Sequence, residues 1–111
     1  MIRTKYRYRV QQKDRLLCVY LEGEIDHHSA VGLREELDAL ILRERPARLV
    51  FYLSDVEFMD SAGLGLLMGR YRLVTELGGE MAILEPSERV RKILRLAGME
   101  RFFAIGKGEK R

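Results

Sequence analysis

Three short apolar runs, LLCVYL at 16–21, LVFYL at 49–53 and MAIL at 81–84, are separated by stretches whose apolar residues recur at helical spacing. This alternation constrains the fold more than any other feature of the chain. Runs of four to six apolar residues are long enough for inner strands and too short for buried helices. Strands that alternate with amphipathic helices form an α/β layer structure. A further segment, KYRYRVQQ, alternates polar and apolar residues and carries charge, which suits an edge strand. The break at QKDR lets it pair with LLCVYLEGEI as a hairpin, so the sheet is expected to be mixed.

The predicted order is β-β-α-β-α-β-α with a short tail. Asp26 caps a first helix whose inner face is Ala30, Leu33, Leu37, Leu40 and Ile41, closed by Pro46. ARLVFYLS forms a strand, and DVEFMD is read as a loop. A second helix carries Leu64, Leu67, Met68, Tyr71 and Val74, and stops at Gly78 and Gly79. EMAILE is the next strand. Pro86 and Ser87 start a third helix with the stripe Val90, Ile93, Leu94 and Ala97, ended by Gly98, and RFFAI gives a last strand or turn.

The 111 residues suit one domain, 1–111, and with 47% apolar and 33% charged residues the chain is globular, not disordered. The net charge is +3, but the basic residues are dispersed among acids and no nucleic-acid stripe forms. Cys18 stands alone in an apolar run and reads as a small buried hydrophobe. The N-terminus lacks an apolar signal core, and no apolar run approaches the ~18 residues of a membrane span. A cytoplasmic protein with no membrane partner is expected.

Functional groups of such sheets gather where strands run into helices. Two turns qualify: the one at 25–28, and FMDSAGLGLLMGRY at 58–71. Gly63, Gly65 and Gly69 miss the dinucleotide spacing by one residue, and Asp55, Glu57 and Asp60 would repel a pyrophosphate. No lysine follows Gly69, so a Walker loop fails too. Ser61 could be a hydrolase nucleophile with His27 or His28 as base and Asp26 or Asp60 as orienter. Asp26, His27 and His28 are adjacent, a spacing that spreads side chains around a helix instead of converging them on a metal. The plain reading makes Ser61 a helix N-cap, although Asp60 is itself a good cap. Serine at a helix N-terminus also suits a phosphate, whose charge the helix dipole favours. Gly63 and Gly65 weaken a helix and imply close approach of another surface.

FMDSAGLGLLMGRYRLV, with GEIDHHSA upstream and LGGEMAILEPSERVRKILRLAGM downstream, closely resembles the bacterial anti-sigma factor antagonists of the STAS family. It looks most like the sporulation branch that controls sigma F, and the resemblance spans about 6–105. The D-S-x-G-L-G core and the G-E-[IL]-D-H-H element carry it together. The resemblance implies a single STAS-like α/β domain that is a regulatory switch, not an enzyme, and needs no cofactor. The implied partners are an anti-sigma factor that is also an ATP-dependent serine kinase, and a serine phosphatase that reverses it. Residue by residue, the phospho-acceptor falls on Ser61. Partner contacts fall on Asp26, His27, Asp60, Ala62, Gly63, Leu64 and Gly65. Ala62 stands where many relatives carry a second serine. The relatives' further C-terminal helix is not expected in GKGEKR. The alternatives are an antagonist in a general-stress or other partner-switching pathway, and a small serine hydrolase using Ser61.

Overall fold

The computed structural model describes residues 6–106. The chain forms β1 (Tyr6–Lys13), β2 (Leu16–Ile25), α1 (His27–Glu44), β3 (Arg48–Met59), α2 (Ser61–Glu76), β4 (Glu80–Leu84), α3 (Glu88–Leu96), a short 3-10 turn (Met99–Arg101) and β5 (Ala104–Gly106). The sheet order is β1-β2-β3-β4-β5. Only β1 and β2 are antiparallel; the other neighbours are parallel. The mixed α/β sheet and the charged edge strand expected above are therefore present. The tail beyond Gly106, including most of GKGEKR, lies outside the described residues.

Strand pleating explains how the core is built. The register Leu17↔Leu49↔Met81 and Val19↔Phe51↔Ile83 puts these residues on one face. All six are buried in one cluster with Leu33, Leu37 and Ile41 of α1 and Leu66, Leu67 and Val74 of α2. Each parallel crossover steps one strand across in the same direction. The right-handed rule then lays α1 and α2 side by side on that face. Val90 and Leu94 of α3 complete the same cluster. The alternate residues point the other way. There Tyr20 and Tyr52 stack at 4.5 Å, with the Arg9 guanidinium 4.2 Å from the Tyr20 ring centre. Cys18 is buried, which pushes its thiol pKa up and keeps it a packing residue.

Four expectations are corrected. DVEFMD is not a loop: β3 continues to Met59 and pairs with the second half of β2. Register irregularities between Tyr20 and Glu22 and between Gly23 and Glu24 break the period of two, and Gly23 takes a φ of 96° there. Val56 and Met59 are buried while Asp55, Glu57 and Phe58 are exposed, so no alternation survives to be read. In α1, Ala30 and Leu40 flank the buried stripe, which also takes in Ser29. In α2 the buried stripe is Gly63, Leu66, Leu67, Arg70 and Val74; Leu64, Met68 and Tyr71 lie at its edge. In α3, Ile93 is half-buried and Ala97 exposed.

Arg70 is the unexpected member of that core, at 5% exposure. Its Nε lies 2.8 Å from Oδ1 of Asp38 on α1, and its Nη1 is buried without a hydrogen-bond partner. Burial pulls its pKa down, Asp38 opposes that, and Arg34 adds to it. The pair ties α2 to α1, and its worth depends on the counter-charge. Asp38→Ala should lower stability in urea unfolding by about 2 kcal/mol. That is below the ~3–5 kcal/mol of a fully buried pair, because the Asp38 side chain keeps 34% of its exposure. The volume-matched Arg70→Met should cost less, and the opposite ranking would contradict this reading of the pair.

Candidate functional site

Parallel pairing brings both candidate turns to one end of the sheet. Ile25 ends β2 and is paired with Met59, which ends β3. The next residue after each is a helix cap, and the Asp60 N–H donates to the Ile25 carbonyl at 3.3 Å. Two helix N-termini therefore open side by side, each adding partial positive charge to the same surface.

Both caps are aspartates. Oδ1 of Asp26 accepts from the N–H groups of His28 at 3.0 Å and Ser29 at 3.1 Å. Ser29 Oγ accepts from the Asp26 N–H at 2.9 Å, which closes a reciprocal capping box. Oδ1 of Asp60 accepts from the N–H groups of Ala62 at 2.8 Å and Gly63 at 3.2 Å. The N-cap role read for Ser61 is thus corrected. Asp60 holds the cap, and Ser61 is the first helical residue, with its side chain exposed. The Asp60 carboxylate already occupies two of the first-turn N–H donors. An anion on Ser61 would gain from the dipole but would sit beside this carboxylate.

Gly63 and Gly65 prove to be different kinds of glycine. Gly63 is buried where α2 crosses the strand ends. A Cβ there would run into Met59 Cγ and lie 2.8 Å from the Ile25 carbonyl oxygen. Close packing of α2 on the sheet requires it. Gly65 is exposed, and a Cβ there would meet nothing within 4 Å. Leu64, between them, is half-buried against the core. Ala62 and Gly65 line a groove of about 300 Å³ between α2 and α1, which His27 also lines. Sequence reasoning missed the other lining residues, Ala30, Val31, Arg34 and Leu66. The sequence signal for them is a glycine inside a helix, and it takes the structure to show that position 65 is open.

The geometry gives Ser61 no base. His27 and His28 are exposed and touch each other edge to face at 5.6 Å, and neither hydrogen-bonds Ser61. Asp26 Oδ1 accepts from the backbone N–H groups of His28 and Ser29 and from the Ser29 hydroxyl, and Asp60 Oδ1 accepts from those of Ala62 and Gly63, so both carboxylates serve as caps. Among the described residues, no group of three or more His, Cys, Asp or Glu could hold a metal ion. No described helix is long and apolar enough to cross a membrane.

Comparison with known proteins agrees with this arrangement. The family model described as STAS domain matches residues 7–110. The chain is 38% identical over 90 residues to the anti-sigma F factor antagonist of Paenibacillus polymyxa, covering 81% of this chain and 77% of the relative. It is 37% identical over 91 residues to the anti-sigma-B factor antagonist of Bacillus subtilis strain 168, covering 82% of each. The solved structure of the anti-sigma factor antagonist SpoIIAA in its unphosphorylated form superposes with a TM-score of 0.81 at 26% identity, covering 94% of this chain and 90% of that one. The structure of Bacillus SpoIIAA in the phosphorylated form gives a TM-score of 0.73 at 25% identity, with coverage of 94% and 93%.

The two glycines make opposite predictions in thermal or urea unfolding. Gly65→Ala should stabilise by up to ~1 kcal/mol, since nothing opposes the better helix former. Gly63→Ala should destabilise by about 1–3 kcal/mol through overpacking against backbone. Equal effects at the two positions would contradict the division between them.

Proposed function

The chain belongs to the STAS-domain family, and from that premise we propose that it is an anti-sigma factor antagonist switched by phosphorylation of Ser61. The observation that carries the proposal is an exposed hydroxyl on the first residue of α2, fixed by the Asp60 cap and flanked by the Asp26-capped start of α1. The relatives are named as anti-sigma factor antagonists, a regulatory role that accords with a serine that has no base of its own.

In this reading the unphosphorylated protein binds an anti-sigma factor across the paired helix ends and thereby frees the sigma factor. Asp26, His27 and Asp60 supply polar contacts, and Ala62, Leu64 and Gly65 supply the approachable surface. Gly63 serves indirectly, by seating α2 close to the strands. The partner, a serine kinase, transfers the γ-phosphoryl group of ATP to Ser61 Oγ. The new P–O bond replaces the bond to ADP, and the hydroxyl proton leaves. The phosphoserine carries about −1.5 to −2 charge at neutral pH. That charge lies beside the Asp60 carboxylate on a surface the partner must desolvate, so the complex separates. A phosphatase restores the hydroxyl. The protein works in the cytoplasm, as one domain, without a cofactor of its own. The sigma F relative favours a sporulation pathway. The sigma-B relative, at nearly the same identity and coverage, favours a stress-type pathway as the second reading.

Incubation with a cognate anti-sigma kinase and ATP, followed by intact mass spectrometry, tests the acceptor. Wild type should gain one phosphate and Ser61→Ala none. A gain in both, or in neither, would sink the assignment. Ser61→Asp should weaken binding of the anti-sigma factor at least about tenfold, equivalent to about 1.4 kcal/mol. Titration against the sigma F and sigma B types of anti-sigma factor separates the two pathways.

A further inference from the structure

A glycine in a helix interior is unfavourable relative to alanine, and nothing in this chain's own packing calls for one at position 65. Gly69, one turn further along α2, is also open, with nothing within 4 Å of an added Cβ. Gly65 instead helps form the groove of about 300 Å³ between α1 and α2. Its lining is apolar at Ala30, Val31, Ala62 and Leu66 and polar at His27 and Arg34. Val31 is 52% exposed although it belongs to an apolar lining. The volume suits one or two apolar side chains.

Charge gives a second, independent indication. Arg34 and Asp38 are four residues apart on α1, a spacing that ordinarily allows an ion pair. Asp38 is engaged by the buried Arg70 at 2.8 Å. Among the described residues Arg34 makes no ion pair, so its charge stands at the groove without a partner among them. The groove also adjoins the acceptor. Ser61 and Gly65 are four residues apart on α2 and therefore neighbours on the helix surface. A partner reaching one passes over the other.

We propose that this groove is a docking seat for the anti-sigma factor, taking one apolar side chain over Gly65 and Val31 with a neighbouring carboxylate against Arg34. The proposal rests on the functional reading given above and goes beyond it by naming the chemistry of the partner's contact. Binding energy concentrates in a few side chains that fill well-packed, desolvated pockets. The seat also gives Gly65 a purpose: a side chain there would occupy the space the partner's anchor needs.

The test is calorimetric titration of the full chain against the purified anti-sigma factor that wild type binds, with thermal unfolding of each variant measured alongside. Gly65→Leu fills the groove and should weaken binding at least about tenfold while its unfolding midpoint stays at or above that of wild type. Arg34→Glu should weaken binding to a similar extent and should reduce its dependence on salt. If Gly65→Leu fails to fold, Arg34→Glu together with Val31→Asp decides the matter in its place. Wild-type affinity in these variants would overturn the seat. Loss at only the apolar or only the charged position would overturn the combined contact proposed. If wild type binds no anti-sigma factor at all, the functional reading fails first and this inference falls with it.

Discussion

The arrangement of the site depends on how closely α2 lies on the ends of β2 and β3. Position 63 has no Cβ, so the helix backbone comes within contact of the Ile25 carbonyl and the Met59 side chain. The Asp60 N–H, bonded to that same carbonyl, fixes where the helix begins. Because β2 and β3 are parallel neighbours, the start of α1 falls beside the start of α2. One close approach thus sets the position of two caps, two helix dipoles and the serine between them. A side chain at 63 would lift α2 and displace all of these together.

The two helices are held along their length as well as at their ends. Leu33, Leu37 and Ile41 of α1 share the core with Leu66, Leu67 and Val74 of α2. Asp38 and Arg70 add a charge pairing across the same interface. The switch proposed for Ser61 would place a phosphate on an exposed first-turn residue of a surface already fixed by packing below it. Loss of binding would then follow from electrostatics at the interface and would need no rearrangement of the fold. The Asp60 carboxylate beside Ser61 would sharpen the effect.

Most of the fold was legible because its determinants are local. The apolar runs at 16–21, 49–53 and 81–84 are too short for helices, and Asp26, Pro46 and the Gly78–Gly79 pair mark helix limits directly. The extension of β3 was not legible, because irregular pairing removed the alternation on which strand reading depends, and Asp55 and Glu57 gave the segment the composition of a loop. Arg70 was missed for a related reason. A charge on an apolar stripe reads as an edge residue until its partner on another helix is known. At the site, Ser61, Asp60 and Asp26 came from the sequence, helped by the family resemblance. The division of labour between Gly63 and Gly65 did not. Their intrinsic propensities are identical, and only the surroundings in three dimensions tell a glycine the fold needs from one it leaves open.

The central claim is that a phosphate on Ser61 abolishes partner binding through surface charge while the fold stays the same. The direct measurement is a pair of calorimetric titrations of the unphosphorylated and the enzymatically phosphorylated chain with the same anti-sigma factor, with amide NMR spectra of both forms. The predicted result is tight binding by the first form and at least about a hundredfold weaker binding by the second, equivalent to about 2.7 kcal/mol, with shift changes confined to the starts of α1 and α2. Equal affinity for the two forms, or shift changes spread through β4 and α3, would contradict the account.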